Sequence, residues 1–123
     1  MCGLVWFVQV AHYPLFLEIG QQDFVQYERK NTIATSFVTA PMMLIELLSG
    51  LALVYLSMGN TLYWLNLIGV ALLWLSTFFI QVPLHNRLLN AYDPQAIRRL
   101  VRSNWIRTFL WTARAVILLG WGI

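Results

Sequence analysis

The chain has 123 residues, 59% of them hydrophobic and only 11% charged, with a formal net charge of +3 and a mean hydropathy of +0.66. A water-soluble domain carries about 25% charged residues, so the composition excludes a wholly water-facing surface and predicts an integral membrane protein built as one domain, residues 1–123. A single cysteine, Cys2, excludes an intrachain disulfide and a C-x-x-C redox or metal site, and the lack of a basic stripe argues against nucleic acid as a partner.

The first apolar run covers about residues 2–19. A bilayer core about 30 Å thick needs roughly 20 helical residues, so this run just suffices. No basic n-region precedes it and no A-x-A-like site follows, which reads as a retained helix and not a cleaved signal. Pro14 lies inside the run and Gly20 ends it. Gln9, His12, Tyr13 and Phe16 recur at i, i+3, i+4, i+7 and share a face. The polar segment Gln21–Ile33 follows. Asp23 is the expected cap of a short helix there, with Phe24 and Tyr27 inward and Glu28, Arg29 and Lys30 in water.

The second span is expected over about residues 34–58, with Thr35, Thr39, Met42, Glu46 and Ser49 on one face and Pro41 as a potential kink. Gly59 and Asn60 give a tight turn into the third span, about residues 61–83. There Asn66, Leu73, Thr77 and Gln81 share a face, and Tyr63 and Trp64 stand where an interfacial aromatic belt belongs. Pro83 marks a bend, after which LHNRLLNAY continues as helix in water. Asp93–Pro94 reads as an N-cap and first helical residue. The fourth span, about residues 103–123, then continues this helix, so the third and fourth helices protrude as a hairpin by ~15 Å. Ile97, Leu100 and Val101 are its expected inner stripe, and Arg98, Arg99 and Arg102 its wet face. The predicted fold class is thus all-α: an integral membrane four-helix bundle with a cytoplasmic helical hairpin extension.

Charge predicts the orientation. Arg29, Lys30, Arg87, Arg98, Arg99 and Arg102 fall on one side of the four spans, and the other side has no lysine or arginine in its turn or at its ends. Basic short loops stay cytoplasmic. Both loops are therefore expected in the cytoplasm and both termini outside, in a cell (inner) membrane.

The polar residues inside the spans carry what chemistry there is. Counting at 1.5 Å per residue puts Glu46 roughly 18 Å and Arg114 roughly 16 Å from the cytoplasmic boundary, which predicts a buried ion pair. His12 lies at roughly 12 Å and Arg107 at roughly 6 Å. Gln81, His85, Asn86 and Asn104 lie near the boundary. On the last helix Asn104, Arg107, Thr108, Trp111 and Arg114 face one way. Two readings of this cluster stand side by side. One is a polar core, formed with Gln9, Tyr13, Glu46, Gln81, Asn86 and Arg114, that ties the helices together. The other is a pocket, open to the cytoplasm, for a lipophilic small molecule. His12 has the proton affinity a base needs, with Tyr13 beside it, whereas His85 reads as a solvated or capping residue. No helical H-x-x-E or H-x-x-x-H spacing supports a metal, and no cofactor motif is present, so neither metal nor cofactor is expected.

The stretches VPLHNRLL (Val82–Leu89) and NWIRTFLWTAR (Asn104–Arg114) resemble the closing half of the anthrone oxygenase-like family of small four-helix membrane proteins. HYPLF (His12–Phe16), Tyr27–Glu28 and APMMLIE (Ala40–Glu46) are similar to related bacterial membrane proteins of this size. The resemblance implies a four-helix bundle. It also implies, for a minority of members, oxidation of polyketide anthrones without metal or flavin. It marks Asn86, Asn104 and Arg107 as candidate site residues, and the chain departs from the pattern at His85. The resulting expectation is a cofactor-independent oxygenase or oxidoreductase acting on an aromatic or quinone-like substrate. His12 is its base, and Asn104 and Arg107 are its oxyanion donors. The alternative is a non-catalytic accessory or assembly subunit of a larger membrane complex. Membrane lipids and a homo-oligomer complete the expected partners, with Arg98, Arg99 and Arg102 suited to anionic headgroups.

Overall fold

A computed structural model describes residues 1–120; the last three residues of the expected fourth span lie outside them. The described residues are helical throughout, with no strand, and form four rods. The first is a composite: α1 (Cys2–Phe7) runs into a π-helical turn (Val8–His12) and a 3₁₀ turn (Pro14–Glu18). The second is one unbroken helix, α2 (Gln21–Leu56). The third joins α3 (Thr61–Ser76) through a π-helical turn (Thr77–Gln81) to α4 (Val82–Asn90). The fourth is α5 (Pro94–Gly120).

Two prolines explain the two π turns. Proline lacks an N–H and its ring collides with the carbonyl four residues back, so the turn before it must widen. Before Pro14 the Tyr13 N–H reaches the Val8 carbonyl, five residues back, at 2.9 Å. Before Pro83 the Val82 N–H likewise reaches the Thr77 carbonyl. Pro41 sits within α2 without ending it.

The helix ends follow local chemistry. The Asp93 carboxylate accepts from the Gln95 and Ala96 N–H groups at 3.0 and 3.3 Å, so α5 starts as expected at Asp93–Pro94. The Asn60 side chain accepts from the Leu62 N–H at 3.0 Å and caps α3 after the tight turn. Asp23 is not a cap: α2 begins at Gln21, with Gly20 in the cap position and Asp23 in its first turn. The second helix therefore starts about a dozen residues earlier than the span boundary suggested.

In packing order α1 lies on α5, α5 on α3 and α4, and these on α2. The α1–Glu18 rod has no comparable backbone packing against α2. Two apolar clusters hold the rods. Tyr13, Phe16, Phe24, Leu84, Leu88, Ala96, Ile97 and Leu100 bind the lower ends of all four rods, with Tyr92 stacked edge-on to Phe24 at 5.2 Å. Val5, Met43, Leu73 and Trp111 form the second cluster farther along. Ile97 and Leu100 face inward and Arg98, Arg99 and Arg102 outward, as their spacing predicts.

On the second helix Thr35, Thr39 and Glu46 are half-buried on the expected face, but farther along that face is turned by one residue. Met43 and Gly50 are buried, whereas Met42 and Ser49 are exposed. By length and composition, α2 and the Thr61–Asn90 rod are apolar enough to cross a membrane. The first rod is broken at its π turn, and α5 carries Arg107 and Arg114 within its apolar run.

Candidate functional site

The two π turns deliver the polar side chains of the interior: Gln9 and Tyr13 from the first, Thr77 and Gln81 from the second. Such turns lie often at functional sites. Here both border a cavity of about 160 Å³, enclosed by the first rod, the middle of α2, the α3–α4 junction and α5. Its size matches an engineered protein cavity of about 150 Å³ that admits benzene. One wall is the seam between α1 and α2, bordered by Leu4 and Val8 on one side and by Thr35, Ser36 and Thr39 on the other. His12 bridges this seam, its Nε2 3.0 Å from Asn31 Oδ1. Beside His12, outside the lining, Phe16 packs edge-on against the His12, Phe24 and Tyr27 rings.

Glu28 is fully buried. It is not in water beside Arg29 and Lys30, as its place in a polar segment suggested. Its Oε1 makes a short contact with His85 Nδ1 and accepts from the Thr32 hydroxyl at 3.2 Å. The opposite ring nitrogen, His85 Nε2, lies 3.2 Å from the Tyr13 hydroxyl, which also has Gln81 Oε1 at 3.4 Å. Gln81 Nε2 donates to Ser103 Oγ at 3.0 Å. His85 is thus the middle of a carboxylate–imidazole–phenol chain and not a solvated cap; its side chain is 18% exposed. With the Glu28 carboxylate ionised and accepting, Nδ1 carries a proton and Nε2 faces the phenol. Tyr13 and His85 both border the cavity.

A second network fixes α1 to α5. Gln9 Nε2 donates to the Val101 carbonyl at 3.0 Å. A carbonyl can only accept, so this bond sets the orientation of the Gln9 amide. Its Oε1 therefore accepts from Asn104 Nδ2 at 3.0 Å and from the Thr108 hydroxyl at 3.3 Å. Asn104 is then oriented too: its amide is used, and its fully buried Oδ1 has no partner. The free atom of Asn104 is an acceptor, which runs against its expected part as an oxyanion donor.

Arg107 is 8% exposed and borders the cavity. Its guanidinium lies over the Trp111 ring at 5.0 Å and neighbours the Tyr13 phenol. Its Nε has no hydrogen-bond partner.

Glu46 and Arg114 meet at 3.2 Å, the pair their depths predict. Arg114 Nε also donates to Asn66 Oδ1 at 3.0 Å, and Trp111 Nε1 donates to Glu46 Oε2 at 2.9 Å. This cluster stands outside the cavity wall, joined to it through Trp111.

Of the residues singled out in sequence, His12, Tyr13, Gln81, Asn104 and Arg107 border one cavity, with Asn86 exposed at its edge. Gln9 braces that wall from behind, and Glu46 and Arg114 sit apart. Glu28 and His85 were missed in these roles. For the burial of Glu28 a signal was present: the Thr35 and Thr39 face, continued backward at helical spacing, passes through Asn31, Glu28 and Phe24; His85 had none. Among the described residues no three histidine, cysteine, aspartate or glutamate side chains converge as a metal site. No protein-family model, curated protein or solved structure matches this chain.

Proposed function

We propose that this chain is a four-span membrane protein whose cavity binds a lipophilic ring compound and moves protons to and from it. The membrane reading is supported by an inverted distribution of side chains. Phe37, Ile45, Leu48, Tyr55, Phe79 and Phe109 are exposed, whereas Gln9, Glu28, Asn66, Gln81, Asn104 and Arg107 are buried. Apolar patches larger than a few hundred Å² are rare on water-soluble monomers. Lipid around the rods gives the outer side chains a partner, and the polar groups satisfy one another within. The distribution of basic residues supports an orientation with both termini outside and the Glu28 end in the cytoplasm.

The observation that carries the functional reading is the Glu28–His85–Tyr13 chain, because it ends on the cavity. A buried carboxylate orienting an imidazole against a hydroxyl is the arrangement general acid–base chemistry requires. Tyr13 and His85 are the groups placed to take a proton from a bound ligand. His12, on the opposite wall and held by Asn31, is a second base. Removing the ring hydroxyl protons of a hydroquinone leaves an electron-rich anion that gives two electrons to dioxygen, forming the quinone and, with the two protons, hydrogen peroxide; this makes a cofactor-independent oxidation the reaction class. A cavity of benzene size suits a single-ring, hydroquinone-like substrate.

Oxygen uptake by proteoliposomes supplied with a hydroquinone tests the reading. Uptake is expected to fall at least about a hundredfold in Tyr13→Phe and His85→Ala. Rates equal to those of the unsubstituted protein would remove the relay from the mechanism, and equal rates in His12→Ala would remove the second base.

A second reading rests on a different observation. Arg98, Arg99 and Arg102 are exposed along one face of α5, and neither ion pair found among the described residues engages them. An accessory subunit of a larger membrane complex would use this face for docking. Such a subunit should be lost when expressed alone, and a stable monomer would count against it.

A further inference from the structure

We infer that the ligand of this cavity carries an oxygen anion and, beside it, a hydroxyl group, with Arg107 as counter-ion to the first and Asn104 as acceptor for the second. The inference rests on the lipophilic-pocket reading and adds the chemistry of the ligand's polar end. It starts from the contacts of the interior charges. Among the described residues, Glu46 is paired with Arg114, and Glu28 bonds His85 and the Thr32 hydroxyl and makes no contact with Arg107. Neither ion pair includes Arg107, which is nine-tenths buried. An arginine cannot shed its charge. A buried cation without a counter-ion is strongly unfavourable, and an anionic ligand in the adjoining cavity supplies one.

The geometry leaves room for that ligand. The guanidinium face is covered by Trp111, which leaves the edges for hydrogen bonding, and Nε is unpartnered. One turn earlier on the same face of α5, Asn104, also a lining residue, has a buried Oδ1 without a partner. The chain Val101–Gln9–Asn104 fixes it as an acceptor. Residues three apart on a helix hold their Cβ atoms about 5–6 Å from each other. One wall therefore presents a charged donor and a neutral acceptor side by side, and the rest is mostly apolar. A ring bearing a carboxylate or phenolate oxygen and a neighbouring hydroxyl satisfies both. A ligand with only a carbonyl satisfies neither the charge nor Asn104. Entry along the α1–α2 seam, past Leu4, Val8 and Thr39, brings the apolar body in from the bilayer side.

Three single-ring probes separate the parts: 3-hydroxybenzoate, 3-hydroxybenzamide (no charge) and benzoate (no hydroxyl). Their affinities are measured by calorimetry on the detergent-solubilised full chain. The expected order puts 3-hydroxybenzoate first, with the amide weaker by about tenfold or more and benzoate weaker by several-fold. Arg107→Met should erase the preference for the charged probe. Asn104→Ala should leave the preference for the acid over the amide in place and remove the advantage of the hydroxyl. If Arg107→Met fails to fold, the comparison of acid and amide on the unsubstituted protein decides. Equal binding of benzoate and 3-hydroxybenzoate would overturn the Asn104 part. Equal binding of acid and amide would overturn the anion while leaving the pocket. Failure of all three probes to bind would overturn the pocket reading as well.

Discussion

Glu28 has no contact with solvent, so everything that balances its charge lies within the protein: His85 on one oxygen, with the Thr32 hydroxyl beside it. Its second oxygen has no partner. Removing one member of such a pair strands the other, and the cost of the stranded group exceeds the worth of the bond. Glu28→Leu should therefore lower stability by about 1–3 kcal/mol in chemical denaturation of the solubilised protein. Adding His85→Leu should recover part of the loss, because no polar group is then left unpaired. A single variant as stable as the parent would show that the chain is not closed as described. Arg114 poses the same question at another depth. In the proposed membrane setting an arginine in mid-span costs about 2.5–3.5 kcal/mol on insertion scales; Glu46 and Asn66 receive its donors. Its aliphatic stem lies against Gly69, where an added Cβ would stand 3.1 Å from Arg114 Cδ. Gly69→Leu should push that stem away and cost about 1–3 kcal/mol, readable as a lower midpoint in thermal unfolding. An unchanged midpoint would mean that Arg114 reaches Glu46 by another path.

The elements show how much of this was legible. Apolar runs, the Gly59–Asn60 turn and the Asp93–Pro94 start are local signals, and each appears where its chemistry puts it. The Glu46–Arg114 pair followed from counting residues along two helices, since rise per residue is fixed. Glu28 and His85 were not read because they belong to polar segments whose partners lie 57 residues apart. No local pattern reports such a contact. Reading the second helix from residue 34 also cut off the turns that carry Phe24, Glu28 and Asn31. The two π turns escaped for a different reason: a proline signals a break, but not that the preceding turn widens to i→i+5. The widened turns set where Tyr13 and Gln81 point, so the site's geometry rests on a feature the residue pattern does not display. At this scale Asp93→Ala should cost about 1 kcal/mol through loss of the α5 cap. The readout is faster hydrogen exchange confined to the first turn of α5, and uniform exchange along the hairpin would contradict a local cap.

Seen whole, the molecule exposes many large apolar side chains, buries amides together with Glu28 and Arg107, and half-buries the Glu46–Arg114 pair. That distribution supports the proposed membrane setting. The proposed orientation rests on the six basic residues at the Glu28 end. Cys2, the one thiol in the chain, offers a direct check. In intact cells a membrane-impermeant maleimide should label Cys2, while a cysteine placed at Arg87 in a Cys2→Ser background should react only after permeabilisation. The reverse pattern would invert the topology and put the Tyr13 relay on the outer side.

The central claim is that the cavity holds a small lipophilic molecule. Native mass spectrometry of the protein extracted in mild detergent tests it most directly, run in parallel on Thr39→Trp, whose indole would fill the space between α1 and α2. The account predicts a stoichiometric low-mass adduct on the unsubstituted protein that is absent from Thr39→Trp, with both proteins folded. A bare polypeptide mass in both, or an adduct that Thr39→Trp retains, would contradict it.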